Sequence, residues 1–333
     1  MRAVRNGEAC IEISDCLDKG CNDKVCYTPT CTNKILDEDE TDVDCGGSVC
    51  PKCTVGRRCS ATTDCSSAEC ESGNCACPAD MVIVPQAELL GGAYCIDVTE
   101  VTKGNYNSLF LTNSPALGGQ VAGCETNTSY TPNGDWPPAD TTAAKGYPVR
   151  YVDWCDAYAY CKHQGRELCG NIGGGAMPNG LAASDLNRAS SGGAEAGSIA
   201  LDAWYNACSI QGVNTYPYNK STYVAGLCND GTPSTYTGGV AGPWDDYDPN
   251  TSLDHTGCNG GAVGLFQMSG NVAEWENACS GTTGASDTCA IRGGAWDSPA
   301  ADWQCQWQAD ETRQRMPAND ADTADVGFRC CQY

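Results

Sequence analysis

The chain has 333 residues, with 42 acidic side chains against 19 basic and a formal charge of −23. That balance excludes nucleic acid and anionic membranes as partners and favours divalent cations. Its 26 Cys and only 2 His exclude a histidine-built metalloprotein of the cytosol and point to disulfides made in an oxidising compartment, so the chain is expected to be secreted or at the cell surface.

The length allows two domains, or one domain of roughly 250 residues with a smaller module. Residues 1–10 show no apolar signal-peptide core, so an exported protein is expected here as a mature form or fragment, with the identity of its native start left open. Residues 1–78 carry half of the cysteines and few large apolar side chains, so covalent bridges must hold this segment together. Within it Gly7, Cys10, Asp15, Cys16, Cys21 and Cys26 recur as Gly56, Cys59, Asp64, Cys65, Cys70 and Cys75, a repeat of 49 residues. Each copy is expected to close two bridges, with Cys31, Cys45, Cys50 and Cys53 forming another even set. The arithmetic leaves Cys77 over, and Cys95 is its favoured partner; Cys279 and Cys289 are also read as bridged. Between the copies Asp37, Asp39, Asp42 and Asp44 offer oxygens to a calcium ion, although a solvated acidic loop explains them equally well and the spacing is not that of an EF-hand.

From Ala79 the texture changes to regular apolar alternation. Met81–Val84 and Tyr94–Thr99 read as strands, and Glu100–Phe110 as the start of a helix. Residues 112–146 form a long loop pinned through Cys124. Trp154, Ala157, Tyr158 and Cys161 recur at helical spacing behind a capping Asp153, and Asp202–Cys208 reads as another helix. Trp154, Tyr158 and Trp204 are read as core residues. The run Gly264–Trp275 is apolar, turns tightly through Ser269-Gly270-Asn271, and holds one acid, Glu274, between apolar neighbours. A carboxylate there must be paired or coordinating.

That run, with Arg292-Gly293-Gly294 and the closing Gly327-Phe328-Arg329, resembles the formylglycine-generating enzyme family, also called the sulfatase-modifying-factor domain. Cys95–Phe110 and Tyr147–Leu168 resemble two further segments of that family. The acidic stretch around Asp37–Gly47 is similar to segments of secreted, repeat-bearing proteins of myxobacteria. The resemblance implies an α+β fold with much irregular structure: a formylglycine-generating-enzyme-like domain, with a C-type-lectin-like core, over residues 79–333 behind a small disulfide-rich module over residues 1–78. It implies calcium at Gln267, Gly270, Val272 and Glu274, and a second calcium at Asn229, Asp230, Asp245 (or Asp246) and Tyr247.

The oxidases of the family hold copper(I) with a pair of cysteines, soft donors suited to that ion. Ser298 and Trp303 stand at those positions, and Cys305 nearby is expected in a bridge, with Cys330 or Cys331 as candidate partners. No copper is therefore expected. The two histidines, His163 and His255, also fall short of the three-ligand iron site of the ergothioneine-synthesis relatives. The expected role is a non-catalytic binding or adhesion protein stabilised by disulfides and calcium, taking a surface glycan or a protein ligand, or associating with itself, with no membrane insertion. Contact residues are expected in the polar, loop-like stretch 296–325, at Trp303, Gln304, Gln306, Asp310, Arg313 and Arg315. The alternatives are a structural subunit of an extracellular filament or surface layer, and an oxidase of the formylglycine-generating type.

Overall fold

The computed structural model describes residues 4–18, 20–36, 40–85, 92–134, 136–137, 145–180, 202–218, 221–230, 258–313 and 325–333. They fall into two compact units, Met1–Pro78 with Tyr333, and Ala79–Gln332.

In the first unit, two hairpins repeat one design. Strands β1 (Gly20–Asn22) and β2 (Val25–Tyr27) pair antiparallel, as do β3 (Cys70–Glu71) and β4 (Asn74–Cys75). Both connections are two-residue turns with positive φ at both positions, Asp23-Lys24 and Ser72-Gly73, the geometry that matches strand twist. Each copy closes two bridges, as the spacing predicts; the pairing, which the spacing leaves open, is Cys10–Cys21 and Cys16–Cys26 in the first copy and Cys59–Cys70 and Cys65–Cys75 in the second. Backbone bonds recur with them: Gly7 N–H donates to the Cys26 carbonyl at 2.8 Å, and Gly56 N–H to the Cys75 carbonyl at 2.8 Å. The even set between the copies closes as Cys31–Cys50 and Cys45–Cys53. Cystines are themselves the apolar core of this unit, joined in the first copy by Val4.

The second unit contains two four-stranded sheets. One has the order β5 (Met81–Val84), β6 (Tyr94–Asp97), β12 (Cys330–Gln332), β7 (Glu167–Leu168), all antiparallel. The other has the order β10 (Gln308–Thr312), β9 (Thr288–Arg292), β8 (Ala273–Cys279), β11 (Val326–Phe328), with β11 parallel to β8. Because β11 and β12 are separated by one residue, the chain passes from one sheet to the other at Arg329. Gly327 allows that passage: a Cβ there would lie 2.7 Å from the Val149 carbonyl oxygen.

Helix α1 (Lys103–Asn105) starts behind the Thr102 hydroxyl and runs into a wider turn over Tyr106–Phe110. Helix α2 (Trp154–His163) begins at a reciprocal cap between Asp153 and Asp156, and α3 (Ala203–Ser209) at Asp202, whose carboxylate accepts the Tyr205 N–H. The largest core joins Tyr106, Phe110, Trp154, Tyr160, Trp275 and Phe328. Bridges Cys124–Cys155, Cys161–Cys330, Cys169–Cys331, Cys208–Cys305, Cys228–Cys258 and Cys279–Cys289 tie this unit. Cys77 and Cys95 are both disulfide-bonded, and no cysteine is free. Among the described residues no helix is long and apolar enough to cross a membrane.

Candidate functional site

Strand β8 is buried along nearly its whole length, so its alternation places Glu274 and Glu276 on one face and Trp275 and Asn277 on the other. Each acid meets an arginine. Arg329, fully buried, donates from Nε to Glu274 Oε2 and from Nη2 to Oε1, both at 2.6 Å, while the Trp204 indole N–H adds a bond to Oε2 at 2.7 Å. The rest of the guanidinium is spent on backbone carbonyls of Asp97, Phe266 and Gln267, with a Glu100 carboxylate oxygen at 3.8 Å. Two positions along, Arg292 pairs with Glu276 at 2.8 Å and with Asp202 at 2.6 Å. Burial pushes the Glu276 carboxyl well above its usual range; Arg292 pulls against this, and nearby Asp202 adds to it. Asp202 and Trp204, from the start of α3, thus reach the two pairs side by side.

The tight turn before β8 packs against a second segment. Gly270 has φ +74, and a Cβ on it would lie 2.2 Å from the Asn229 carbonyl oxygen. That carbonyl accepts the Asn271 N–H at 2.8 Å, and Asn229 Nδ2 donates to Asn271 Oδ1 at 3.1 Å. Asn271 Nδ2 in turn donates to Glu100. Asn229, placed by sequence in a cation site apart from the turn, therefore lies directly against it. Asp230 accepts the Tyr223 hydroxyl and the Gly226 N–H. Asp245 and Tyr247 lie outside the described residues. Gln267 has φ +55, and its side-chain oxygen is buried without a hydrogen-bond partner.

Downstream, the Ser298 hydroxyl accepts the Ala295 N–H at 2.9 Å. Trp303 is buried, donates its indole N–H to the Ala295 carbonyl, and lies against Tyr223 with ring centroids 5.0 Å apart. Cys305 is bridged to Cys208, which corrects the expected partners Cys330 and Cys331. Residues 308–312 are not loop but strand β10, because Gln308–Thr312 find a ladder partner in Arg292–Thr288. Arg313 is also corrected from surface contact to buried tie. It donates to the Ala122 and Gly281 carbonyls, pairs with Asp287 at 3.4 Å and covers the Trp154 ring at 4.9 Å. Gln306 and Asp310 are exposed and Gln304 is half-buried, while Arg315 lies outside the described residues.

The profile of the sulfatase-modifying factor enzyme 1-like domain matches residues 54–333. The chain belongs to this family. Among solved structures it is similar to "Crystal Structure of CarF" at 18% identity and TM-score 0.41, covering 72% of this chain and 86% of that one. It is also similar to Treponema denticola variable protein 1, at 18% identity and TM-score 0.32, covering 72% of this chain and 84% of that one. A third likeness is to PvdO from Pseudomonas aeruginosa, at 18% identity and TM-score 0.37, covering 72% of this chain and 80% of that one. A search of curated proteins gave no significant match.

Within the sulfatase-modifying-factor family, copper(I) chemistry needs a thiolate pair, and this chain's donor set does not fit it. Ser298 caps a backbone amide, Trp303 is packed, and Cys305 is oxidised into a bridge. For calcium the fit is divided. The orphaned Gln267 oxygen is a free ligand atom, whereas Glu274 is already neutralised by Arg329 and bonded by Trp204. In the first unit, Asp42 accepts the Arg58 and Val43 N–H groups, and Asp44 accepts that of Lys34. Asp37 and Asp39 are outside the described residues.

Sequence reasoning found Glu274 but missed its neighbours Glu276, Arg292, Asp202 and Arg329. The signal was present: two acids two residues apart in an apolar strand require two buried cations, and the only basic residues of the closing motifs are Arg292 and Arg329.

Proposed function

We propose that this protein is a non-catalytic recognition domain of the sulfatase-modifying-factor family, exported and held by disulfides, that binds a surface glycan or a protein ligand. The observation that carries the reading is the fate of the family's copper positions. Ser298 is spent on the Ala295 N–H, the Trp303 ring is buried on the Ala295 carbonyl, and the nearby Cys305 is bridged to Cys208. Without two thiolates there is no soft site to hold copper(I). A chain in which no cysteine is free supports export, because disulfides persist in an oxidising compartment. Calcium belongs to this reading as a structural ion beside Gln267 and the Gly270 and Val272 carbonyls, where the unpartnered Gln267 oxygen supports it.

The test is copper(I) titration of the folded chain against a chromophoric chelator, together with an oxidase assay on a cysteine-containing sulfatase peptide. The expected result is no competitive binding and no aldehyde product. Stoichiometric copper(I) uptake with turnover would sink the proposal and restore the oxidase.

A further inference from the structure

We infer that the cleft between α2 and the loop 116–130 is a binding site for a single uncharged, hydroxyl-rich ring of hexose size. This rests on the recognition role proposed above and gives it a place and a ligand class. The cleft encloses about 310 Å³, at the small end of the ~300–1,000 Å³ typical of small-molecule sites. One wall is a single face of α2: Cys155, Tyr158, Ala159 and Lys162 fall at helical spacing. The other wall is loop backbone, with Gly118 and Gly119 leaving the space open.

The cleft is held open by its own framework. The Cys124–Cys155 bridge pins the loop to the helix, and Asn127 Nδ2 donates to Asp156 at 3.0 Å. Gln120 braces the loop from inside, its Nε2 donating to the Leu117 and Asn127 carbonyls at 3.1 and 2.8 Å. A preformed site of this kind loses little ordering entropy when a ligand arrives.

The ligand class follows from the groups that face it. Lys162 is the only charged residue of the lining, and its ammonium is already paired with Glu167 at 2.7 Å. The one charge of the cleft is therefore already balanced by a neighbouring carboxylate, which leaves little net charge to select a charged ligand, and a net charge of −23 repels anions at longer range. Its polar groups are neutral and of both kinds. The Tyr158 hydroxyl makes no hydrogen bond to any described residue, and the Gln120 side-chain oxygen is buried without a partner. An unsatisfied buried acceptor is costly until a donor reaches it, and a ligand hydroxyl is such a donor. Between these groups lie Val121, the cystine and the Tyr158 ring, which is stacked on Trp154 at 4.9 Å. Apolar and aromatic surface beside scattered neutral donors and acceptors suits a ring with one C–H face and hydroxyls at its edge.

The experiment is saturation-transfer NMR of the full chain with methyl glycosides of glucose, galactose, mannose and N-acetylglucosamine. At least one glycoside is expected to bind. Ala159→Trp, which fills the cleft from a half-buried position on the helix, should weaken it at least about tenfold, a loss of ~1.4 kcal/mol. Tyr158→Phe, which keeps the stacked ring and removes only the hydroxyl, should weaken binding with an unchanged melting temperature. Gln306→Ala, in the exposed turn before β10, and Asp310→Ala, exposed on β10, should leave it unchanged. Loss of binding only in the Gln306 and Asp310 variants would overturn the cleft and leave the recognition role standing. Absence of binding by all four glycosides would likewise overturn the cleft, while copper(I) uptake with turnover is what would remove the recognition role itself.

Discussion

The two units reach stability by opposite routes. In the first, side chains large enough to make a core are nearly absent, and cystines pack on cystines. Its acids work as local caps: Asp15 accepts the Ile11 and Glu12 N–H groups, and Asp64, itself buried, repeats the arrangement with Ser60 and Ala61. In the second, aromatic side chains build a true core, and acids are buried deep within it against arginines. A carboxylate can thus serve as a local cap on backbone N–H groups or as half of a sealed ion pair, and the two uses respond differently to chemistry. Bridges differ in the same way. Cys161, Cys330, Cys169, Cys331, Cys208 and Cys305 are wholly enclosed by other side chains, whereas in the first unit Cys21, Cys31, Cys50 and Cys70 are only partly covered.

Reduction should separate the units most strongly. Each bridge contributes about 2–4 kcal/mol, and in the first unit the bridges are also the core, so nothing remains to fold around once they open. Under mild phosphine treatment, hydrogen-exchange mass spectrometry should show peptides from residues 4–76 reaching full exchange while β8 and β9 stay protected. Equal loss of protection in both units would show that the second unit also depends on its bridges for its core.

Within the second unit, the sealed pairs offer a smaller and more selective break. Arg329→Met leaves Glu274 buried with a single partner, Trp204, and should cost about 3–5 kcal/mol, read as a lowered midpoint in guanidinium. Glu276→Gln should cost far less, because burial already favours the neutral form and the amide keeps an acceptor for Arg292. If the two substitutions proved equally damaging, Glu276 would have to carry its charge in the folded chain. The Arg329 pair sits at the sheet-to-sheet passage, so its loss is also expected to loosen β11 and β12.

The same contrast explains which features the sequence revealed. The 49-residue repeat was legible because cystine spacing is written directly in the chain, and its bridges closed within each copy. Asp153 and Asp202 were legible as helix starts because capping is local. Glu274 was legible only as an acid in need of a partner. Its partner Arg329 is 55 residues away in sequence, and strand pairing alone brings the two together. Arg313 and Trp303 misled for the complementary reason. A charged or amphipathic residue in a polar stretch reads as surface, and only the ladder of β10 with β9 shows the stretch to be folded back against the core.

The finest test of the comparison is pH. Backbone N–H groups hold the Asp15 and Asp64 carboxyls below the usual range, from Ile11 and Glu12 in one copy and Ser60 and Ala61 in the other. A depressed folded pKa contributes stability that is present above the unfolded value and is lost as pH falls through the folded one. Asp97 has the opposite sign. Burial pushes its carboxyl up to about 7, against the pull of Arg166 and the Cys330 N–H. Its charged form is therefore disfavoured by folding, so its contribution is most favourable below the unfolded value of 3.8 and declines as pH rises from there to about 7. Acidification from pH 7.5 should first favour the second unit, across roughly pH 7 to 4, and only then weaken the first, below about pH 4. Amide NMR shifts should report the order. The Cys330 N–H, which donates to Asp97, should move in the upper window, and the Ile11, Glu12, Ser60 and Ala61 N–H groups only in the lower one. If all five titrated together, the capping carboxylates and the ion-paired Asp97 would not differ as the structure requires.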